Sequence, residues 1–258
     1  MPTLVTIPFS HFCEKARWSL DAAGVEYTEE GHCPGLHRPA VRRAGGRRSV
    51  PVLVLEDGSV LDDSPLIVKF ADAHAAAGRN LFPDEVTARE EATALERHLD
   101  VDFAPQVRLF VYHHLLPDRT QTLRLFELQT PRVERLLVRA AFPLLRRFMR
   151  RFMRIDEPRA LKARDQVRRV LDEIGARLED GRPYLMGDRF GALDIAFAAF
   201  AAPMILPSEH PATGPWTQGL GSSLDALPQP FAHEVRAARE TPAGRFARRL
   251  YEENRHHH

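Results

Sequence analysis

Two side chains suited to sulfur chemistry, Ser10 and Cys13, lie where a predicted strand ends and a predicted helix begins. A helix N-terminus carries partial positive charge and free backbone N–H groups, so it stabilises a thiolate of the protein or of a ligand. Ser10 can donate its hydroxyl to that thiolate, and a plain helix N-cap is the alternative. Cys13 is either a reactive thiol or a small apolar residue on the buried face of the helix.

Polar residues also begin a second predicted helix, at Asp63 and Ser64. Its free amides and the Ser64 hydroxyl suit a carboxylate, and Asp63 can accept from an amine, while helix capping alone is the alternative. Between the two helices, Val50-Pro51 opens a predicted strand. A cis bond at Pro51 would turn the backbone groups of Val50 outward, and an ordinary trans proline on an edge strand is the alternative.

These residues must be positioned by the first 80 residues, which alternate between strand and helix patterns. A helix is predicted over residues 11–23 because apolar residues recur at helical spacing and Gly24 follows them. Strands are predicted at residues 3–7, 25–28, 50–55 and 59–61, with a hairpin at Asp57-Gly58, and a further helix at residues 64–77. We interpret residues 31–48 as a loop with one weak helix. This order predicts a mixed four-stranded sheet with helices on its faces.

Strand signals almost vanish after residues 79–84, which we interpret as a linker. Helical periodicity then runs to the C-terminus, with interruptions near Pro117, Pro131, Pro158 and residues 181–183 and a loop over residues 203–230. The chain is therefore predicted to form a small α/β domain at residues 1–79 and an all-helical domain at residues 85–255.

One predicted helix of the second domain combines basic and apolar residues. The basic residues are Arg146, Arg147, Arg150, Arg151 and Arg154, and the apolar residues Leu145, Phe148, Met149 and Phe152 fall at i, i+3, i+4 and i+7. We interpret this segment as a long helix with one packed face and one solvated face. An acidic partner or an anionic membrane surface is the alternative.

Composition excludes several classes of protein. The 36 basic and 35 acidic residues nearly cancel, so no global field favours nucleic acid or acidic lipid. The two cysteines, Cys13 and Cys33, exclude a disulfide-built scaffold and predict free thiols in a reducing compartment. We find no signal peptide, no apolar run of the roughly 18 residues that a membrane span needs, and no metal-ligand spacing around His113-His114. We therefore expect a cytoplasmic protein without a metal site.

The order and spacing of three motifs resemble the thioredoxin-like domain of soluble glutathione transferases: Ser-x-x-Cys at residues 10–13, Val-Pro-Val-Leu at residues 50–53 and Asp-Ser-Pro at residues 63–65. Residues 187–196 resemble the buried capping-box segment of that family's helical domain. The resemblance covers essentially the whole chain and implies an α/β thioredoxin-like N-terminal domain followed by an all-α helical-bundle domain. The Ser-x-x-Cys pattern resembles the serine-type, omega-like end of the family, and the scarcity of lysine, found only at three positions, is typical of a GC-rich bacterial genome.

The resemblance implies roles for individual residues. Ser10 takes the place of the residue that activates the glutathione sulfur, with Cys13 as a second candidate. Val50, beside a cis Pro51, pairs its backbone with the cysteinyl unit of glutathione. Ser64 binds the γ-glutamyl carboxylate and Asp63 binds the amine.

The sequence also departs from the family pattern. Ser49 stands where a lysine is common, so Arg48 or Arg47 is expected to bind the glycyl carboxylate instead. Gly191 stands where serine or threonine is usual, which removes one half of a capping box. Asp194 supplies the other half and is expected to be structural.

Taken together, the resemblance implies a glutathione transferase that conjugates the glutathione thiolate to small apolar electrophiles, as in detoxification. The co-substrate would lie between the two domains, and the protein would be a homodimer with no bound nucleic acid. Two alternatives stay open. One is a glutathione-dependent thiol oxidoreductase that uses Cys13, and the other is a non-catalytic binding or interaction protein of the same fold.

Overall fold

The computed structural model of the protein describes residues 1–47, 49–221 and 224–255. The first domain contains β1 (Thr3–Thr6), α1 (His11–Ala23), β2 (Thr28–Gly31), α2 (His37–Arg43), β3 (Val52–Val54), β4 (Val60–Leu61) and α3 (Ser64–Ala73). The second contains α4 (Val86–His98), a π-helical turn (Leu99–Phe103), α5 (Ala104–Leu115), α6 (Arg119–Phe126), α7 (Arg132–Phe152), α8 (Glu157–Arg177), α9 (Ala192–Ile205), α10 (Gly214–Leu220), α11 (Gln229–Glu240) and α12 (Pro242–Asn254).

The sheet has the strand order β2-β1-β3-β4. The pair β1–β2 is parallel, whereas β1–β3 and β3–β4 are antiparallel. This confirms the predicted mixed sheet. The prediction for the second strand was wrong by three residues, because the N–H of Val25 bonds to the carbonyl of Leu20 at 3.0 Å and closes the end of α1 around the left-handed Gly24. β2 therefore starts only at Thr28.

Other predicted boundaries also move, and β1 and β4 are each one residue shorter than predicted. The third strand shortens to Val52–Val54, and α3 ends at Ala73, beyond which the N–H of Ala76 bonds to the carbonyl of Ala23 at 2.9 Å. The segment predicted as a loop over residues 203–230 includes the short helix α10.

Residues 79–84 connect the two domains, as their composition predicts for a linker. Hydrogen bonds hold this connector against the first domain. Leu81 and Phe82 are buried, and their N–H groups donate to one carboxylate oxygen of Asp72 at 2.8 and 3.0 Å. Arg89 of α4 pairs with the other oxygen at 3.2 Å. These bonds fix the start of the helical domain relative to α3.

The core of the helical domain is α9, which is apolar on all sides and almost wholly buried. Asp194 accepts from the N–H of Gly191 at 2.9 Å and from that of Leu185 at 2.8 Å, which confirms its structural role. A side chain at position 191 would lie 2.4 Å from the carbonyl oxygen of Leu81, so only glycine fits there. None of the helices in the described ranges is both long and apolar enough to cross a membrane.

The basic segment forms the C-terminal part of α7, but the predicted packed face is only half right. Leu145 and Met149 turn inward, whereas Phe148 is 46% exposed and Phe152 is 69% exposed. The Arg38 guanidinium of α2 lies over both rings, 5.3 Å from the centre of Phe148 and 5.9 Å from that of Phe152. The two rings therefore form a separate outer stripe that a cation partly covers.

Candidate functional site

Ser10 occupies the N-cap position of α1. Its backbone N–H donates to the carbonyl of Ile7 at 2.9 Å, and its own carbonyl accepts from the N–H of Glu14 at 2.8 Å. Within the described chain its side chain makes no hydrogen bond that caps the helix. The residue is half-buried and lines a cavity between the two domains.

Cys13 lies one helical turn further on and has no exposed surface. Burial raises the pKa of its thiol to about 12, although the Ile7 backbone and the Ser10 side chain act to lower it. A thiolate is therefore strongly disfavoured at Cys13 near neutral pH. Cys33 is also a free, buried thiol, and its sulfur lies 3.3 Å from the carbonyl oxygen of Phe126.

The bond between Val50 and Pro51 is cis, as the sequence predicts. Pro51 is buried and Val50 is half-buried. The last residue of β3 that is paired with β1 at this end is Val52, opposite Val5. The backbone of Val50 thus lies just before the paired part of the strand.

Asp63 and Ser64 begin α3. Ser64 is fully buried, and its hydroxyl oxygen has no hydrogen-bond partner among the described residues. Asp63 is exposed and does not cap the helix with its side chain in the described part of the chain. A buried hydroxyl without a partner at a helix N-terminus suits an anionic ligand, since the free amides point the same way.

Of the two arginines expected to hold a glycyl carboxylate, Arg48 lies outside the described residues. Arg47 is exposed and pairs with Asp62 at 3.3 Å between Nε and Oδ2. The Arg47 side chain is 89% exposed, so this contact is a weak surface ion pair.

The cavity between the domains has a volume of about 60 Å³, which is several times the space that one water needs. From the first domain its wall includes Ser10 and His11, and Phe9 stacks on Phe126 of α6 at 5.3 Å between ring centres. The helical domain contributes the residues Arg108, Val111, Tyr112, Leu115, Leu125, Ala202, Pro203, Leu206, His210, Thr213, Trp216 and Phe231. Most of this wall is apolar.

The start of α1 is held in place by charges that are paired across the domain boundary. The Lys15 ammonium is fully buried and lies 2.8 Å from a carboxylate oxygen of Glu96 and 2.7 Å from one of Asp100. Burial raises the pKa of Asp100, although Lys15 acts to lower it. This cluster joins α1 to α4 and to the π-helical turn.

A second buried cluster surrounds Glu14. Arg255 donates to Glu14 at 2.8 Å and to Asp21 at 2.8 Å, and Arg17 bonds to the other oxygen of Glu14. Burial acts to raise the pKa of Glu14, but Arg255, His210 and Arg17 outweigh it and lower that pKa to about 2. The end of the helical domain is thereby anchored to α1.

The structure brings Ser10 and the helical domain together around one cavity, but sequence reasoning missed most of the wall. His11 is adjacent in sequence to the candidate Ser10, whereas Arg108 and Tyr112 lie on α5, which carries no sequence motif that would single them out. Among the described residues, no three His, Cys, Asp or Glu side chains group as a metal site would need. The expectation of a site without metal stays a prediction.

Comparisons with known proteins agree with this arrangement. Residues 4–79 match the family model described as "Glutathione S-transferase, N-terminal domain", and residues 154–209 match that described as "Glutathione S-transferase, C-terminal domain". The two matches together span slightly more than half of the chain. No curated protein sequence matches significantly.

Solved structures are similar over nearly the whole chain. A glutathione S-transferase from Methylobacillus flagellatus KT with GSH bound is 18% identical with a TM-score of 0.54, over 96% of this chain and 98% of that one. One from Rhodospirillum rubrum F11 is 19% identical with a TM-score of 0.57, over 96% and 91%. A theta-class enzyme from Xanthomonas axonopodis pv. citri with glutathione bound is 22% identical with a TM-score of 0.56, over 95% of both chains. The likeness confirms the predicted fold class, a thioredoxin-like domain followed by a helical domain.

Proposed function

Because the chain belongs to the glutathione S-transferase family, we propose that it conjugates the thiolate of glutathione to small electrophiles with a largely apolar body. The observation that carries the proposal is Ser10, whose hydroxyl is free of the capping role among the described residues and lines the cavity between the domains. We assign glutathione to residues 1–79 and the co-substrate site to residues 85–255.

In this proposal, Ser10 and the amides at the start of α1 stabilise the glutathione thiolate. A free thiol with a pKa near 8.5 is ionised only to a few per cent at pH 7, and lowering that pKa by two units needs about 2.7 kcal/mol. With an aryl chloride, a carbon–sulfur bond forms and the carbon–chlorine bond breaks. Chloride leaves with the electron pair, and the thiol proton goes to solvent.

Ser64 is proposed to hold the γ-glutamyl carboxylate and Asp63 the amine, while Val50 beside Pro51 pairs with the cysteinyl backbone. The buried, unpartnered hydroxyl of Ser64 supports its part, because a ligand carboxylate would accept the hydrogen bond that no described residue accepts. Arg48 or Arg47 is proposed to bind the glycyl carboxylate.

The test is Ser10→Ala. We expect kcat/KM with 1-chloro-2,4-dinitrobenzene to fall roughly 10- to 1000-fold, because one hydrogen bond to the developing thiolate is lost. Glutathione affinity by calorimetry should change by less than about threefold, since the rest of the molecule is held elsewhere. Absence of glutathione binding by the unmodified protein would contradict the proposal.

We further propose that the protein acts in the cytoplasm of a bacterium as a homodimer that removes electrophiles, a serine-type, omega-like member of the family. In the expected dimer, the first domain of one subunit contacts the helical domain of the other, in a closed two-fold arrangement. Sedimentation at micromolar concentration should show a species of twice 29.2 kDa. A single species at the monomer mass would contradict the dimer without affecting the assignment of Ser10.

A further inference from the structure

Arg108 of α5 places a positive charge in the wall of the cavity. The residue is exposed, and its guanidinium lies 5.7 Å from the centre of the Phe12 ring. No carboxylate or carbonyl of any described residue accepts a hydrogen bond from it. The two buried arginines nearby differ in this respect, because both Arg17 and Arg255 bond to Glu14.

Two neighbours of Arg108 in the cavity wall carry open polar groups. His11 is only 5% exposed, yet its Nε2 has no hydrogen-bond partner in the described ranges. The Tyr112 hydroxyl likewise makes no hydrogen bond to a described residue. A buried polar atom without a partner is costly, and it becomes satisfied when a ligand supplies the missing group.

The charge of Arg108 is not neutralised locally. Although the residue as a whole is exposed, desolvation by the surrounding cavity wall lowers the pKa of its guanidinium, and only Tyr112 acts to raise it. Burial, together with the charge of Arg108, also lowers the pKa of His11 to about 3, against the opposing effect of a backbone hydrogen bond to Ala104, so His11 stays neutral. The site therefore combines one cation with two neutral hydrogen-bonding groups, surrounded by apolar side chains such as Val111, Leu115 and Phe231.

We propose that the co-substrate of this cavity is an organic anion: an electrophile with an apolar body and a carboxylate that Arg108 binds. This rests on the proposed conjugation and specifies its substrate class. A planar guanidinium matches a planar carboxylate with two parallel hydrogen bonds, and it is more weakly hydrated than an ammonium. The apolar wall receives the rest of the molecule, between Arg108 and Ser10.

The kinetic test compares two electrophiles that share one reaction, 4-chloro-3,5-dinitrobenzoate and its methyl ester. In both, the glutathione sulfur displaces chloride, which leaves with the electron pair. Arg108→Gln should lower kcat/KM for the carboxylate at least about tenfold and for the ester less than about twofold. Arg108→Lys should retain part of the preference. Arg97→Gln, which removes an exposed arginine of α4 outside the cavity wall, serves as the matched control and should change neither rate.

A binding test that does not depend on conjugation uses the unreactive 3,5-dinitrobenzoate and its methyl ester. A nitroaromatic ring in the cavity should quench the fluorescence of Trp216, which lines it. We expect the carboxylate to bind the unmodified protein about tenfold more tightly than the ester, and Arg108→Gln to abolish that difference.

The outcomes separate the two proposals. Equal losses for both electrophiles in Arg108→Gln would overturn the anion site and make Arg108 a group that acts on the thiolate or on folding. Equal binding of carboxylate and ester by the unmodified protein would also overturn it. If glutathione does not bind but the carboxylate preference in quenching is present and needs Arg108, the proposed conjugation fails and the anion site stands.

Discussion

Polar groups around α1 fall into two sets: charges that are paired with each other, and groups that have no hydrogen-bond partner in the described ranges. The paired cluster, Lys15 with Glu96 and Asp100, and Glu14 with Arg17 and Arg255, consists of largely buried ion pairs, most of which cross the domain boundary. The open groups are the Ser64 hydroxyl and His11 Nε2, which are buried without a hydrogen-bond partner among the described residues, and the guanidinium of the exposed Arg108. His11 and Arg108 line the cavity between the domains, and Ser64 begins α3 of the first domain.

The difference separates stability from ligand binding. An unpaired buried polar group costs about 1–3 kcal/mol, so each open group at a buried position weakens the fold by itself. A bonded charge that loses its partner costs more, because the remaining charge is left buried and alone. Substitutions in the paired cluster should therefore act on folding, whereas those at the open groups should act on ligands.

The largest effect is expected at Lys15. Lys15→Ala leaves Glu96 and Asp100 without their counter-charge and should lower the free energy of unfolding by about 3–5 kcal/mol. Urea denaturation followed by circular dichroism measures this loss. Lys69→Ala removes an exposed lysine of α3 and should change the same quantity by less than about 0.5 kcal/mol. A loss below 1 kcal/mol for Lys15→Ala would show that the cluster adds little to stability.

We expect a smaller effect when the pH is lowered, because the free energy of unfolding depends on the protonation of buried histidines. Burial lowers the pKa of His11 to about 3, with Arg108 adding to the shift, and that of His210 to about 4 against the opposing charge of Glu14. Because the folded pKa lies below the unfolded value of 6.5, the unfolded chain takes up the proton first, so stability is complete above pH 6.5 and is lost as the pH falls. At pH 5 the loss should reach about 2 kcal/mol for each group.

Urea denaturation at pH 7.5, 6 and 5 measures this dependence. His11→Gln should reduce the loss between pH 7.5 and 5, because one of the two contributions disappears. His233→Gln, at a site where the side chain is 75% exposed, should leave the dependence unchanged. Stability that stays constant from pH 7.5 to 5 would contradict the neutral, buried state of both rings.

Ser64→Ala should weaken binding without weakening the fold. It removes a buried hydroxyl that no described residue bonds, so the free energy of unfolding should not fall and should rise by about 1–3 kcal/mol. Glutathione should bind about tenfold more weakly in calorimetry, as expected for one lost hydrogen bond to a carboxylate. Ser19→Ala removes an equally buried serine that donates to the carbonyl of Lys15 at 2.8 Å, and it should leave the affinity unchanged.

Local signals in the sequence were enough to predict the elements that begin the site. The helix over residues 11–23, its end at Gly24 and the start of α3 at Ser64 all depend on neighbouring residues. The second strand was predicted too early in the sequence because Val25 has a β-prone side chain. In the structure, the N–H of Val25 instead bonds to the carbonyl of Leu20 at the end of α1. The fixed position of the connector could not be predicted from its composition, because its hydrogen bonds come from Asp72, nine residues away from Leu81.

Contacts between residues far apart in sequence could not be predicted from local sequence patterns. The pairing of Lys15 with Asp100 joins residues 85 positions apart, and the missing partner of Arg108 is visible only once the surrounding helices are placed. Similarly, the periodicity of Phe148 and Phe152 is that of a packed face, but Arg38 from the other domain covers them instead of a core.

The smallest effect on conjugation is expected for a substitution of Cys13, which is the alternative to Ser10 as the residue that activates the glutathione sulfur. Burial raises the pKa of the Cys13 thiol to about 12, so it is neither a thiolate nor a nucleophile near pH 7. Cys13→Ala should change kcat/KM and the thiolate absorbance of bound glutathione by less than about twofold. Incubation with oxidised glutathione should add no mass to the native protein, because a mixed disulfide needs access to a sulfur that has no exposed surface. Loss of the thiolate signal in Cys13→Ala together with its retention in Ser10→Ala would reverse the assignment and favour the thiol oxidoreductase.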